Sequence, residues 1–149
     1  MRRSLAFLVL LGLAACDGRP AAPPHKERPT HGAAVGDPKV DPAASDAAAA
    51  LRRYYDLIES GDYAGAYRLR TPGGAAFDRF AANFRAYDSY SAQLGAPAGP
   101  AAQGGFDYVE VPVMTTGRFV GGKPFGTSGR VMLRRARQGA DRRWYVLAS

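Results

Sequence analysis

Apolar residues recur every three or four positions over residues 43–85, which is the spacing of amphipathic helices. Asp41-Pro42 favours a helix start, because an aspartate can cap the first turn and proline suits the first helical position. Ser60-Gly61 ends this helix, since glycine readily adopts the left-handed conformation that follows a helix. The positions predicted to face the core are Ala47, Leu51, Tyr54, Leu57 and Ile58.

Two shorter helices are predicted next. Asp62 caps the first, which runs from Tyr63 to about Arg70, and Thr71-Pro72-Gly73-Gly74 breaks the chain after it. The second covers roughly residues 75–85 and carries an aromatic stripe, which is typical of a core face, with a ligand-contact surface as the alternative. The stripe consists of Phe77, Phe80 and Phe84.

After Tyr87 the period changes from 3.6 to 2, which predicts strands. Residues 88–94 form a first strand, followed by a loose Gly/Ala/Pro loop, and residues 106–120 form a long second strand. Pro112 indicates an edge strand or a bulge there. Gly121-Gly122 turns the chain into a third strand over residues 125–137, and residues 142–147 form a last one. The long strand alternates, with Val109, Val111, Val113, Thr115 and Phe119 on one face and Tyr108, Glu110, Met114 and Arg118 on the other.

Helices followed by an antiparallel meander predict an α+β fold. The segment "ALRRYYDLIESGDYAGAYRL", the phenylalanine-rich third helix and the long paired strands resemble the NTF2-like superfamily, over almost all of residues 43–149. This resemblance implies N-terminal helices packed on a strongly curved antiparallel sheet in the shape of a cone. It also implies an apolar pocket between sheet and helices, and some relatives use a buried aspartate and a tyrosine there to move protons.

The N-terminus has a different pattern. Two arginines precede eleven uncharged residues, Leu5–Ala15, which would span only about 16 Å as a helix, too short for a hydrocarbon core of about 30 Å. A basic head, a short apolar run and small residues are typical of a secretory signal. The run ends in Leu13-Ala14-Ala15-Cys16, which resembles the lipobox of bacterial lipoproteins. The resemblance implies cleavage after residue 15 and lipidation of Cys16; the alternative is a plain signal peptide with an incidental cysteine.

Residues 16–42 are rich in proline and glycine and poor in large apolar side chains, so we predict a disordered tether. Asp17 resembles the signal that retains enteric lipoproteins in the inner membrane, which favours that membrane slightly over the outer one. His25 and His31 also lie here, and two isolated histidines are ordinary linker composition rather than a metal site.

Composition excludes several kinds of chemistry. After His31 there is no histidine and after Cys16 no cysteine, which removes Ser-His-Asp and Cys-His catalysis and zinc sites of the His/Cys type from the predicted domain. The glycine pairs match neither a phosphate loop nor a dinucleotide fingerprint. The sequence therefore predicts no cofactor and no metal.

Weak catalytic candidates are Glu110, Asp107 and Tyr108, with Asp88 as a further carboxylate. A carboxylate desolvated on a concave face would have a raised pKa suited to proton transfer. The alternative is that Glu110 faces solvent, opposite an arginine.

The last 32 residues hold eight cations against one aspartate in a chain of net charge +7. Such a surface attracts anionic envelope components, or it is a solvated sheet edge whose charge discourages aggregation. Export argues against a nucleic-acid partner. The candidate anion-binding residues are Arg130, Arg134, Arg135, Arg137, Arg142 and Arg143.

These patterns favour a periplasmic lipoprotein, anchored to a membrane through Cys16, that acts as a non-catalytic binding or assembly module of the cell envelope. An envelope protein or an apolar ligand is its expected partner, and a homodimer its expected assembly. A small acid–base enzyme and an anion-binding module are the alternatives.

Overall fold

The computed structural model describes residues 41–148, and the predicted signal peptide, Cys16, Asp17, both histidines and nearly all of the predicted tether lie outside them. The described chain contains three helices followed by five strands. The helices are α1 (Pro42–Glu59), α2 (Tyr63–Tyr67) and α3 (Phe77–Arg85). The strands are β1 (Tyr87–Leu94), β2 (Ala98–Gln103), β3 (Phe106–Phe119), β4 (Pro124–Ala136) and β5 (Tyr145–Val146).

Helix α1 begins and ends where the sequence predicts. The Asp41 carboxylate accepts the Ala43 N–H at 2.7 Å, and Gly61 adopts a left-handed φ of 80° just after the last turn. One side of the helix is buried against the sheet and α2, which satisfies the amphipathic pattern. Its buried residues are Ala44, Ala47, Leu51, Tyr54, Tyr55 and Ile58.

The five strands form one antiparallel sheet in the order β1-β3-β4-β5, with β2 also paired to β3. Strand β3 is the centre of the sheet, because β1 and β2 pair in succession along one of its edges and β4 along the other. The prediction of a loop before β3 was therefore partly wrong, since Ala98–Gln103 is a strand. It pairs with the half of β3 that β1 leaves unpaired.

Pro112 is not on an edge strand, which corrects the sequence prediction. Strand β1 ends at Leu94, paired with Val113, and β2 begins at Ala98, paired with Glu110. Pro112 lies at the junction between them, where its carbonyl accepts the Gly95 N–H at 2.8 Å. The missing N–H of proline falls at this gap, where the ladder requires no donor.

The alternation of β3 is confirmed. Val109, Val111, Val113 and Thr115 are buried beneath the helices, and Met114 on the opposite face is 43 % exposed. Leu133 of β4 pairs with Val109 and is fully buried with it. The core therefore lies between the helices and the concave face of the sheet.

The free edge of β1 is covered by two side chains of α1. Glu59 accepts the Ala92 N–H at 2.9 Å, and Arg52 donates to the Ala92 carbonyl at 2.5 Å. Arg52 also pairs with Glu59 at 2.7 Å. These bonds satisfy backbone groups that an edge strand would otherwise present to another chain.

Two predicted elements are shorter in the structure. Helix α2 ends at Tyr67 because the following residues leave it to pair in parallel with β5, with Leu69 accepting the Val146 N–H at 2.8 Å. The last strand begins only at Tyr145, because the Asp141 carboxylate accepts the Arg143 N–H at 3.1 Å and holds a turn before it.

Candidate functional site

A cleft of about 370 Å³ opens between the helices and the concave face of the sheet. We call it the aromatic cleft, because six of its eleven lining residues are aromatic. These rings belong to Tyr54, Phe80, Phe84, Tyr87, Tyr90 and Phe125. The remaining lining residues are Arg70, Ala75, Asn83, Thr115 and Thr127.

The rings of the aromatic cleft pack on one another across different elements. Phe84 of α3 lies edge-on to Tyr90 of β1 at 5.4 Å between ring centroids, and Tyr87 lies 4.7 Å from Phe125 of β4. Each such pair stabilises the arrangement beyond the area it buries, by roughly 0.5–1.5 kcal/mol. The wall is therefore built from side chains that hold one another in place.

The predicted phenylalanine stripe divides between core and cleft. Phe80 is buried, Phe84 is half-buried beside it at 5.0 Å, and both line the cleft. Phe77 is 37 % exposed and contacts Tyr67 instead. The prediction that the stripe belongs to the core is confirmed for Phe80. The alternative, contact with a ligand, stays a prediction for Phe80 and Phe84, which line the cleft.

Among residues 41–148, Arg70 is the only charged residue that lines the aromatic cleft. Its guanidinium carbon lies 4.9 Å from the centroid of the Phe80 ring and 6.0 Å from that of Tyr67. The pairing of Arg70 with Val146 places it there, by joining this segment to the sheet edge. Among residues 41–148 no carboxylate forms an ion pair with it.

Two tyrosine hydroxyls in the cleft stay protonated at neutral pH. Burial raises the pKa of Tyr54 to about 12, against an opposing effect of the nearby Arg70 charge. Burial also raises the pKa of Tyr90, and the neighbouring Thr115 hydroxyl opposes that shift. Both groups therefore offer neutral O–H donors to a ligand.

A second, larger cavity of about 830 Å³ adjoins Arg70 at the sheet edge, between the turn at Thr71-Pro72-Gly73 and the loop before β5. We call it the edge groove. Arg143 in its lining bonds Asp141 at 3.0 Å, and the Tyr145 hydroxyl donates to the same carboxylate. Arg68, Arg70 and Arg134 also line the groove and form no ion pair among residues 41–148. Hydrogen bonds from Arg143 and Tyr145 hold the pKa of Asp141 well below its usual range.

None of the catalytic candidates lines the aromatic cleft. Asp107 bonds Arg135 at 3.0 Å and lies 3.5 Å from Arg137, with its side chain mostly buried. Glu110 pairs with Arg130 at 3.0 Å on the opposite face of β3, and Tyr108 lies beside it on that face. Asp88 is exposed on β1. A catalytic role for these residues stays a prediction.

The candidate anion-binding arginines do not form one surface. Arg130, Arg135, Arg137 and Arg143 have the carboxylate partners given above. The guanidinium of Arg134 lies 4.6 Å over the ring of Phe106, and Arg142 is exposed. Neighbouring arginines on β4 point to opposite faces of the sheet. Anion binding by this set stays a prediction.

Arg70 was missed by the sequence analysis, as was the cleft that it lines. It directly precedes the Thr71-Pro72 break, at the predicted end of a helix, where an arginine is ordinary. Its neighbours in the cleft come from α1, α3 and β4, so no local pattern marks the site.

Within residues 41–148, no group of three His, Cys, Asp or Glu side chains is arranged to hold a metal ion. Over the same residues, no helix combines the length and the apolar character that a membrane span requires.

The chain matches no family model and no curated protein. It does match solved structures. A protein assigned as an aromatic ring hydroxylase from Novosphingobium aromaticivorans superposes with a TM-score of 0.56 and 12% identity, covering 69% of this chain and 82% of that one. The beta subunit assigned to an aromatic-ring-hydroxylating dioxygenase of the same organism gives 0.53 and 14%, covering 71% and 87%.

An NTF2-like protein from Exiguobacterium sp. 255-15 also matches, with a TM-score of 0.44 and 15% identity over 67% of this chain and 98% of that one. The predicted α+β class, helices on a curved antiparallel sheet, is confirmed. At these identities the likeness concerns the fold alone.

Proposed function

We propose that this protein is a lipid-anchored periplasmic binding module that holds a small organic ligand in the aromatic cleft. The observation that carries the proposal is the cleft itself, about 370 Å³ in volume and walled by six aromatic rings. Ligand sites are typically concave and apolar with a few convergent polar groups, and volumes of about 300–1,000 Å³ are usual. The Tyr54 hydroxyl and the Arg70 guanidinium are such groups.

The cleft is better suited to binding than to proton transfer. Its lining residues include no carboxylate and no imidazole, the usual general bases. Asp107 and Glu110, which an acid–base enzyme would use, are engaged by arginines elsewhere on the sheet. We therefore prefer a non-catalytic role.

Two solved structures of similar fold are assigned to aromatic ring hydroxylation. We carry over only the general idea that a scaffold of this kind suits a flat, ring-bearing molecule. The aromatic side chains of the cleft support the same idea independently, because planar ligands gain most from contact with aromatic rings.

The proposed location rests on the N-terminal sequence. Cys16 follows a short apolar run with lipobox spacing, and two or more acyl chains at that residue would give stable anchoring. The tether of residues 16–42 would then hold the domain away from the membrane surface, with Asp17 favouring the inner membrane.

Filling the cleft tests the binding role. Thr127 lines the cleft and is exposed at its mouth, whereas Thr116 is exposed on the opposite face of the sheet. We expect a small molecule to co-purify with the full-length protein from its own host and with Thr116→Phe, and to be lost from Thr127→Phe. Mass spectrometry of an organic extract measures this. Equal ligand content in both variants, or none in the unmodified protein, would contradict the proposal.

Replacing Cys16 with serine tests the anchor. A serine hydroxyl cannot take the thioether-linked lipid, so we expect the variant to move from the detergent phase to the aqueous phase on detergent partitioning. We expect the wild-type protein to stay almost wholly in the detergent phase. Cys16→Ala should behave like Cys16→Ser, and unchanged partitioning of both variants would disprove the anchor.

A further inference from the structure

Two half-buried arginines of the described chain, Arg70 and Arg134, have no carboxylate partner. Arg134 lies over the Phe106 ring outside the aromatic cleft, whereas Arg70 lines the cleft. Arg52 and Arg135 are also partly buried, and each has a carboxylate oxygen within 3.0 Å. Arg70 has no ion-pair partner among residues 41–148, and its guanidinium lies against Phe80 and Tyr67. A charge withdrawn from water into apolar surroundings is costly unless an opposite charge or hydrogen bonds compensate it.

The other polar groups that line the aromatic cleft are neutral, so they do not offset the positive charge of Arg70. The aromatic cleft contains this one full positive charge, the hydroxyls of Tyr54 and Tyr90, the amide of Asn83, and two threonines. Within residues 41–148, no negatively charged side chain lines it. Because burial keeps Tyr54 protonated well above neutral pH, its hydroxyl does not neutralise the arginine. The cleft is therefore complementary to an anion.

The residues that line the cleft indicate the size and polarity of the rest of the ligand. Phe80, Phe84, Tyr90 and Phe125 all line the cavity, and neighbouring rings pack on one another, with 5.4 Å between the centroids of Phe84 and Tyr90. The volume is near the lower end of the usual range for ligand sites, which suits a compact apolar body of one or two rings.

Building on the proposed function, we propose that the ligand is a small organic anion: an apolar, ring-sized body held by the aromatic walls, with a carboxylate bound by Arg70. Guanidinium and carboxylate are both planar and can form two parallel hydrogen bonds, which gives orientation as well as affinity. The Tyr54 hydroxyl, which lines the same cleft, is a neutral donor that can assist.

Matched acids and amides test this inference. Each pair has the same body and differs only in charge: benzoate with benzamide, 2-naphthoate with 2-naphthamide, and decanoate with decanamide. Binding to the full-length protein is measured by calorimetry in detergent, against a detergent blank. We expect at least one acid to bind roughly 10- to 100-fold more tightly than its amide, the range for hydrogen bonds to charged groups.

Substitutions of arginine test whether Arg70 causes the preference for the acid over the amide. Arg70→Gln should abolish the preference for the acid, and Arg70→Lys should restore part of it because the charge returns without the planar fork. Arg68→Gln is the control, since Arg68 is exposed and does not line the aromatic cleft. It should bind like the unmodified protein.

The outcomes separate this inference from the proposed function. Equal affinity for acid and amide, or failure of all three acids to bind, would overturn the anionic ligand. So would a co-purified molecule without a negative charge, although that result would support the binding role. Absence of any co-purified molecule in the Thr127 experiment would remove the binding role itself.

Discussion

Replacing Leu133 with alanine is expected to lower the free energy of unfolding by about 2–5 kcal/mol. Leu133 is completely buried, pairs with Val109 on one side and Val146 on the other, and ranks among the largest fully buried side chains. Removing three heavy atoms loses their transfer free energy and leaves a cavity that the paired strands cannot easily close. Urea unfolding followed by circular dichroism measures the effect.

Met132 provides the matched control for this prediction. It precedes Leu133 on the same strand, but it lies on the opposite face and is 38% exposed. Met132→Ala should cost less than about 1 kcal/mol, because surface substitutions usually change stability little. Similar losses in both variants would mean that the buried face of β4 has been assigned wrongly.

Replacing Gly117 with alanine is expected to destabilise the domain by about 2–3 kcal/mol. A methyl group at this position would overlap the carbonyl oxygen of Ser89 on the paired strand and lie 2.8 Å from Cε1 of Phe125. A backbone carbonyl in a strand ladder cannot move without breaking its pairing. The substitution should also displace Phe125, a wall of the aromatic cleft, and so weaken ligand retention.

Gly126 is the control for Gly117, since it lies on the adjacent strand and is paired with Thr116. An alanine there would meet nothing closer than the Thr116 Cγ2 atom at 3.9 Å. Gly126→Ala should be neutral or stabilise by up to about 1 kcal/mol, because alanine restricts the unfolded chain. Equal thermal unfolding of the two variants would contradict the close approach at Gly117.

The helices and the faces of the long strands could be predicted because their signals are local. Leu51, Tyr54 and Ile58 repeat at helical spacing and are buried. Val109, Val111 and Val113 alternate and are buried as well. Periodicity shows which side of an element is apolar, and that side turns to the core whatever its partner.

Strand β2 could not be predicted in this way. Ala98–Gln103 contains glycine, proline and alanines without alternation, which is typical of a loop. It becomes a strand because β3 extends beyond the end of β1 and offers unpaired backbone groups. Backbone hydrogen bonding does not depend on side-chain pattern, so composition could not indicate it.

The charged residues also show the difference between what the local sequence predicts and what strand pairing decides. The sequence shows the excess of arginine near the C-terminus, but it does not show which carboxylates these arginines pair with. Arg135 meets Asp107 and Arg130 meets Glu110 only because β3 and β4 pair in one particular register. A shift of one residue would send these side chains to opposite faces.

The sequence by itself determined the α+β class, the three helices, the buried alternation of β3 and the prediction of a lipidated Cys16, since all of these depend on residues close together in the chain. Only the tertiary structure decided that Arg70 lines an aromatic cleft without a carboxylate partner, while Arg135 is paired with Asp107. The cleft joins Tyr54, Arg70, Phe84 and Phe125 from distant parts of the chain. Their meeting follows from the curvature and register of the sheet, which no short stretch of sequence encodes.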